Sequence, residues 1–561
     1  MVFGKATATA IDLASVAAGT GGFVINGQAA GDQSGWSVAS AGDVNGDGLG
    51  DLIVGAYQSD PASGVDAGRS YVVFGKAGTA AMELASIAAG TGGFVINGQA
   101  ASDISGYSVA SAGDVNGDGL ADLIVGAQSS DPASGLDAGR SYVVFGKAGT
   151  AAIDLASIAA GTGGFVINGQ AANDHSGVSA ASAGDVNGDG LGDLIVGAHV
   201  SDPANGVDAG RSYVVFGKAG TTAIDLASVA LGTGGFVING QAVSDYSGIS
   251  VASAGDIHGD GLGDLIVGAY ASDPAGGVDA GRSYVVFGKA GTTAINLASV
   301  ALGTGGFVIN GQAAGDNSGT SVASAGDVDG DGLGDLIVGA PYSDPAAGTN
   351  AGRSYVILSS QIGQGNFGQQ LTTLGTSGAD TLAGTTGVDR IAAGAGNDTI
   401  TAGGGADVIY GGAGNDTITL NASNLASLGA SRIDGGLGLD TVKLDASTTG
   451  LTLDFSALSS QVFKGIEVID LANGVANTVK LNLANLRGLH DESGAAGGFI
   501  NRLLVNGEAG DVVQLAFGSG TWSASGTETV NAVAYNVYAN SLDTLDKLLV
   551  QQGMSTSILG A

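Results

Sequence analysis

Apolar residues along this chain fall in short runs, separated by clusters of Gly, Asp, Asn and Pro, and the same runs return at a fixed interval. One unit predicts four short strands, at residues 37–44, 51–56, 70–74 and 94–97. β-branched residues fill the runs, and turn formers fill the gaps, including Ser59-Asp60-Pro61 and the Gly-rich stretch 90–93. Phe-Val-Ile-Asn-Gly-Gln begins at Phe23, Phe94, Phe165, Phe236 and Phe307, each 71 residues after the last. Arg-Ser-Tyr-Val-Val-Phe-Gly-Lys begins at Arg69, Arg140, Arg211 and Arg282, with a variant at Arg353 that carries Leu358 in the Phe place. Four-stranded units in tandem point to propeller blades, with a solenoid as the competing architecture.

The block Gly-Asp-Val-Asn-Gly-Asp-Gly-Leu-Gly-Asp-Leu-Ile-Val-Gly-Ala, followed by Tyr-Val-Val-Phe-Gly, resembles the FG-GAP repeat of integrin α-subunits and bacterial exoproteins. The resemblance spans residues 1–360 and implies a β-propeller of about five blades, with a calcium loop between the first two strands of each. Phe3 lies 71 residues before Phe74, so the chain begins inside a third strand. The strand at residues 23–26 is expected to complete the last blade and close the ring, leaving no open edge.

Each loop spaces oxygen-bearing residues so that they converge on one hard cation. The candidate ligands are Asp43, Asn45, Asp47, Leu49 and Asp51; Asp114, Asn116, Asp118, Leu120 and Asp122; and Asp185, Asn187, Asp189, Leu191 and Asp193, the Leu contributing its carbonyl. The fourth loop offers Asp256, Asp260 and Asp264 around His258, a poor Ca²⁺ ligand, and is expected to bind weakly or through water. The fifth, with Asp327, Asp329, Asp331, Leu333 and Asp335, is the most acidic and is expected to bind best. Position twelve is Val54 rather than Glu, so the loop is not an EF-hand.

From Gly375 the period becomes nine. Asp380, Asp389, Asp398, Asp407 and Asp416 are each followed two residues later by Leu382, Ile391, Ile400, Ile409 and Ile418. This pattern resembles the nonapeptide of RTX (hemolysin-type) calcium-binding repeats. The resemblance implies a flattened parallel β-roll over residues 375–443. Its Gly-rich turns present Asp oxygens, with Asn397 and Asn415 beside them in the two best copies, and its Ile residues turn inward. The copy at 384–392 is degenerate, and a partial copy at 435–442 follows an insertion. Roughly two to four ions are expected.

Residues 361–374 read as a linker, and 444–561 as a C-terminal β-rich region. The segments Gly-Ile-Glu-Val-Ile-Asp-Leu from Gly465, Val-Asn-Gly-Glu-Ala-Gly-Asp from Val505, and Trp522 with Tyr-Asn-Val-Tyr from Tyr535, resemble the ends of large RTX adhesins. That resemblance implies an uncleaved C-terminal signal and a type I secretion exporter as partner. Residues 541–550 are expected to form a short amphipathic helix.

Composition narrows the class. With 52 Asp and Glu against 18 Lys and Arg, the formal charge of −34 repels nucleic acid and anionic lipid and attracts divalent cations. The absence of Cys removes disulfides as a clamp and leaves Ca²⁺ as a candidate one. No apolar stretch approaches the ~20 residues of a membrane span. The four His (His175, His199, His258, His490) form no His-Glu-x-x-His, and there is no Gly-x-Ser-x-Gly elbow. Asp66 and Arg69, with their copies, read as a blade-to-blade contact. The expectation is a non-enzymatic, secreted or cell-surface calcium-binding adhesin or matrix protein, with an extracellular protein or glycan as ligand. A calcium-dependent secreted hydrolase and a purely structural surface-layer spacer are the alternatives.

Overall fold

Four antiparallel strands form each blade, and the Asp-rich loop closes the first hairpin. In the first repeat Val38–Gly42 pairs with Asp51–Ala56, then Arg69–Val73, then Gly93–Asn97. A register shift between Ser40 and Gly42 puts a bulge at the mouth of the loop, where Gly42 sits at φ +70°, a backbone that Gly alone adopts freely. The arrangement recurs in the next three repeats, and the last has three strands, Ser321–Gly326, Asp335–Ala340 and Arg353–Ile357. The structure is a computed structural model, and it describes residues 1–2, 10–328, 333–359, 371–447, 450–458, 462–489, 502–515, 521–541 and 543–558. Phe3, His490 and most of the expected linker lie outside the described residues.

The core lies between blades rather than within them. Ala41, Val44, Ile53, Phe94 and Ile96 of one blade interlock with Leu123, Val125, Tyr142 and Val144 of the next. First strands adjoin in series, from Val38–Gly42 through Ser108–Gly113, Ser179–Gly184 and Ser250–Gly255 to Ser321–Gly326, so they line the common axis. Polar stitches cross each seam. The Tyr142 hydroxyl (2.5 Å) and Arg140 Nη1 (3.2 Å) both donate to Gln99 Oε1, and Lys147 Nζ lies 4.3 Å from the Phe94 ring centroid. Arg69 serves the contact between successive repeats expected of it, but its partners are Gln28 and Asn97 rather than Asp66.

Two elements escaped the sequence pattern. A helix of four or five residues precedes each fourth strand; in the first repeat it is Leu84–Ala88, which buries Leu84 and Ile87 against the blade, and so short a helix shows no helical period. The strand Ile153–Asp154 reaches back from the second repeat and pairs in parallel with the outermost strand of the first. Ile25–Asn26 receives Met82–Glu83 in the same register. The strand at residues 23–26 therefore stands to the first blade as Gly93–Asn97 stands to the second. It does not complete the last blade as expected: its inner side meets the N-terminal residues, through the Val2–Gly22 bridge and the Met1–Phe23 hydrogen bonds, and Arg353–Ile357 pairs only with Asp335–Ala340 among the described residues.

Beyond residue 371 the strands become short and parallel. One sheet stacks Thr373–Thr376, Arg390–Gly394, Val408–Tyr410, Arg432–Asp434 and Phe463–Lys464. The opposite sheet stacks Thr381–Ala383, Thr399–Thr401, Thr417–Leu420, Thr441–Leu444, Val468–Asp470 and Arg502–Asn506. Ile391, Ile400, Ile409 and Ile418 are fully buried between them. The insertion after Leu420 is the helix Ala422–Ser427, started by a reciprocal cap between Asn421 and Asn424. The second sheet runs across the boundary expected at 443/444, so roll and C-terminal region form one continuous stack. Residues 541–550 are not a helix: Asp543–Gln551 is a strand between Arg502–Asn506 and Val533–Asn540. Leu548 and Val550 enter the roll core while Leu549 enters the cluster on the other face, a period of two.

Because each seam is filled by aromatic and branched side chains, Phe165→Ala is expected to cost about 3–5 kcal/mol. The measurement is the urea midpoint of the propeller transition in saturating calcium.

Candidate metal centres

In the first three loops the backbone wraps the position-one carboxylate. Asp43 Oδ1 accepts from the N–H groups of Gly46 (2.7 Å) and Asp47 (3.1 Å), and Oδ2 accepts from Gly48 (3.0 Å). Asp114 and Asp185 repeat the pattern. Asn45, Asn116 and Asn187 each accept from the N–H of the position-five Asp and donate to its side chain. Leu49, Leu120 and Leu191 donate their N–H groups to Asp47, Asp118 and Asp189.

The position-nine Asp ties the loop to the blade. Asp51 is fully buried; its Oδ2 accepts from Val44 N–H (3.0 Å), and its Oδ1 accepts from Gly75 N–H (2.8 Å) at the end of the third strand. Asp122, Asp193, Asp264 and Asp335 do the same. Burial raises Asp51, Asp122 and Asp193 to about 7 against the pull of those N–H groups, and neighbouring loop carboxylates add to the rise. A divalent cation among these oxygens relieves that repulsion, so the donor set fits Ca²⁺.

The fourth and fifth loops differ. His258 occupies position three of the fourth, and Asp256, His258 and Asp260 are the one group among the described residues whose ligand atoms lie within 4.8 Å of one another. Burial lowers the His258 pKa, but hydrogen bonds to Asp260 and Asp264, and their charges, outweigh it and carry it to about 10. In the fifth loop Asp327, Leu333 and Asp335 are described; Asp329 and Asp331, and with them the expectation of strongest binding, lie outside the described residues.

In the roll, two nonapeptides make one turn, so carboxylates stack every 18 residues. Asp380 N–H donates to Asp398 Oδ1 (2.6 Å), Asp398 N–H to Asp416 Oδ1 (2.7 Å), and Asp416 N–H to Asp440 Oδ1 (2.7 Å). The other oxygens, Asp398 Oδ2, Asp416 Oδ2 and Asp440 Oδ2, are buried and have no hydrogen-bond partner among the described residues. Burial, then the like charges of the stack, raise Asp416 to about 6 and Asp440 to about 9. Orphaned, crowded carboxylate oxygens fit a row of Ca²⁺ along this edge.

The opposite edge is satisfied by protein. Asp389 Oδ2 accepts from the Thr385 hydroxyl (3.0 Å) and N–H (2.6 Å), and Asp407 Oδ2 accepts from Asn424 Nδ2 (2.7 Å). On the first edge Asn397 and Asn415, beside Asp398 and Asp416, form a ladder of their own, with Asn415 N–H on Asn397 Oδ1 at 2.8 Å. Sequence reading treated both edges alike and missed Asp440, which a partial copy of the repeat marks.

A second group of residues lies at the other end of the blades. Residues before the first strand and after the second sit opposite the calcium loop, by the pairing of Val38 with Val54 and of Gly42 with Asp51. Here Trp36, Tyr57 and Tyr107 meet with ring centroids 5.2–5.6 Å apart, across a blade seam. Tyr246 stacks on Tyr270 at 5.6 Å, and His199 lies 6.3 Å from both His175 and Tyr246. Setting the repeats side by side would have revealed this group: where the loops are near-identical, these positions read Trp36, Tyr107, Val178, Ile249, Thr320 and Gln33, Ile104, His175, Tyr246, Asn317.

Comparison with known proteins agrees with this architecture. The FG-GAP repeat model matches residues 34–73, 105–144, 177–215 and 318–357, and the RTX calcium-binding nonapeptide repeat model matches 374–408 and 383–418. Integrin alpha-PS2 of Drosophila melanogaster is 37% identical over 114 residues, which is 20% of this chain and 8% of that protein. The chain therefore carries FG-GAP blades and RTX repeats, and the RTX repeats bind calcium. Such modules fit a calcium-binding surface or adhesin-like repeat protein. Among the described residues no helix is long and apolar enough to cross a membrane.

Two outcomes follow from the carboxylates. The metal-free fold holds protons on Asp51, Asp122 and Asp193 up to about pH 7, which the unfolded chain releases near 3.8. This contribution to metal-free stability is full below 3.8 and is lost as pH rises through about 7; a calcium ion in the loop is expected to offset the loss. Calorimetry in buffers of different ionisation enthalpy should show protons released on calcium binding at pH 6, and markedly fewer at pH 8.5. Asp416→Asn keeps the ladder acceptor and replaces the orphaned oxygen. It is expected to lower the calcium bound per chain by at least one ion, measured by equilibrium dialysis.

Proposed function

We propose that this protein is a secreted, calcium-stabilised adhesin or matrix component that binds an extracellular glycan or protein through the propeller end remote from the calcium loops. One observation carries the reading: nearly identical repeats diverge at positions that the fold gathers on one face. Trp36 is 53% exposed there, beside Tyr57 and Tyr107. Val65, Leu136, Val207 and Val278, in the turn after each second strand, are each at least 60% exposed at the same end. Aromatic rings with amide and imidazole neighbours suit the apolar face and hydroxyl rim of a sugar. His199 suits such a surface as a neutral ring, because burial and then His175 lower its pKa to about 4.

Calcium supplies the folding step in this reading. Inside a cell, where Ca²⁺ is scarce, the stacked carboxylates repel one another and keep the chain loose for export by a type I exporter. Outside, mM Ca²⁺ fills even sites of Kd ~10⁻⁴–10⁻³ M and contributes its binding energy to folding. The protein is non-catalytic in this account.

A glycan array and a cell-binding assay test the proposal. Trp36→Ala with Tyr57→Ala is expected to reduce binding at least tenfold while leaving calcium uptake unchanged. Binding equal to the unaltered protein, or none by the unaltered protein in calcium, would reduce the molecule to a spacer and end this reading.

A further inference from the structure

The fourth loop keeps the fold of its siblings with a different occupant. Asp256 Oδ1 accepts from Gly259 (2.7 Å) and Asp260 (3.1 Å) N–H, and Oδ2 accepts from Gly261 N–H (2.6 Å), as in the loops with Asn at position three. The His258 ring fills the centre. Its Nδ1 lies 3.0 Å from Asp264 Oδ2 and 3.6 Å from Asp256 Oδ1, and its Nε2 lies 3.2 Å from Asp260 Oδ2. The ring is 8% exposed and stacks on Phe287 at 4.2 Å and 11°. Both ring nitrogens are spent on carboxylates, and the oxygens that a hard cation needs face an imidazole ring instead.

The same loop meets the roll. The Tyr410 hydroxyl donates to Asp256 Oδ2 at 2.6 Å. One rung along the same sheet, Arg432 Nη2 pairs with Asp185 Oδ2 of the third loop at 2.9 Å. A Cβ placed on Gly261 would lie 3.0–3.1 Å from the Arg432 and Val408 side chains, so the two modules are in close contact there.

We propose that the fourth loop is metal-free, closed by His258 in the calcium seat, and that it thereby serves as a calcium-independent dock for the roll. The inference rests on the calcium reading of the other loops. A calcium ion needs the three carboxylates to turn inward toward it. His258 already draws them there, and leaves Asp256 free to accept from Tyr410.

Equilibrium dialysis of the whole chain against radioactive calcium tests the seat. His258→Asn is expected to bind one more ion than the unaltered protein, and Asn116→His, in the second loop, one fewer. No uptake by the unaltered protein overturns the calcium reading itself. Uptake that changes in neither variant overturns only this inference, as does one zinc ion bound by the unaltered protein and lost in His258→Asn. The dock is tested by hydrogen exchange in saturating calcium. Tyr410→Phe is expected to speed exchange at least tenfold at Gly259–Gly261 and at Val408–Tyr410, with Gly117–Gly119 unchanged. Wild-type rates at both segments would overturn it.

Discussion

Repetition brings like charges together, and the structure is organised around that difficulty. Any side chain that recurs at a fixed interval is stacked on its own copies, and here the recurring side chain is aspartate, held partly out of water. The chain meets the repulsion in three ways. Backbone N–H groups surround Asp43 and its equivalents and tie Asp51 and its equivalents to the third strand. Neutral donors, Thr385 and Asn424, cover one edge of the roll. Along the other edge Asp398 Oδ2, Asp416 Oδ2 and Asp440 Oδ2 have no hydrogen-bond partner among the described residues, and there calcium is the fitting counter-charge.

This division also separates the near-identical loops from the most variable part of each repeat. The hairpin places the acidic loop at one end of a blade and the most variable residues at the other. The roll lies against the acidic end, through Tyr410 and Arg432, and so stays clear of the aromatic end. Substitution at Trp36 leaves the interior packing of the seams intact, because that is supplied by strand residues such as Phe94 and Tyr142, and removes only the ring contacts with Tyr57 and Tyr107 at the rim. Under the proposed function, this face can change its ligand without disturbing the framework that presents it.

What sequence alone disclosed follows from period and local chemistry. Four strands per repeat, the Asp loops and the inward Ile ladder are written in spacings of 71 and nine. The helix Leu84–Ala88 is a single turn, below the length at which a helical pattern can be read. Residues 541–550 read from sequence as a short amphipathic helix, yet Leu548, Leu549 and Val550 are apolar in succession, the mark of a strand buried on both faces, which Asp543–Gln551 is. The contact of Tyr410 with Asp256 joins residues 154 apart and leaves no local trace. The variable face was open to reading, but only by comparing the repeats with one another rather than by seeking motifs within them.

The back-reaching strand Ile153–Asp154 has a consequence for how such a chain can lengthen. Each repeat carries the outer guard of its predecessor, so the unit of inheritance is offset from the unit of architecture. A cassette of one period, duplicated or deleted anywhere inside the array, arrives with the guard for the blade before it and finds its own in the repeat behind. Recombination between nearly identical copies can change the number of blades without leaving an interior blade's edge bare to aggregate.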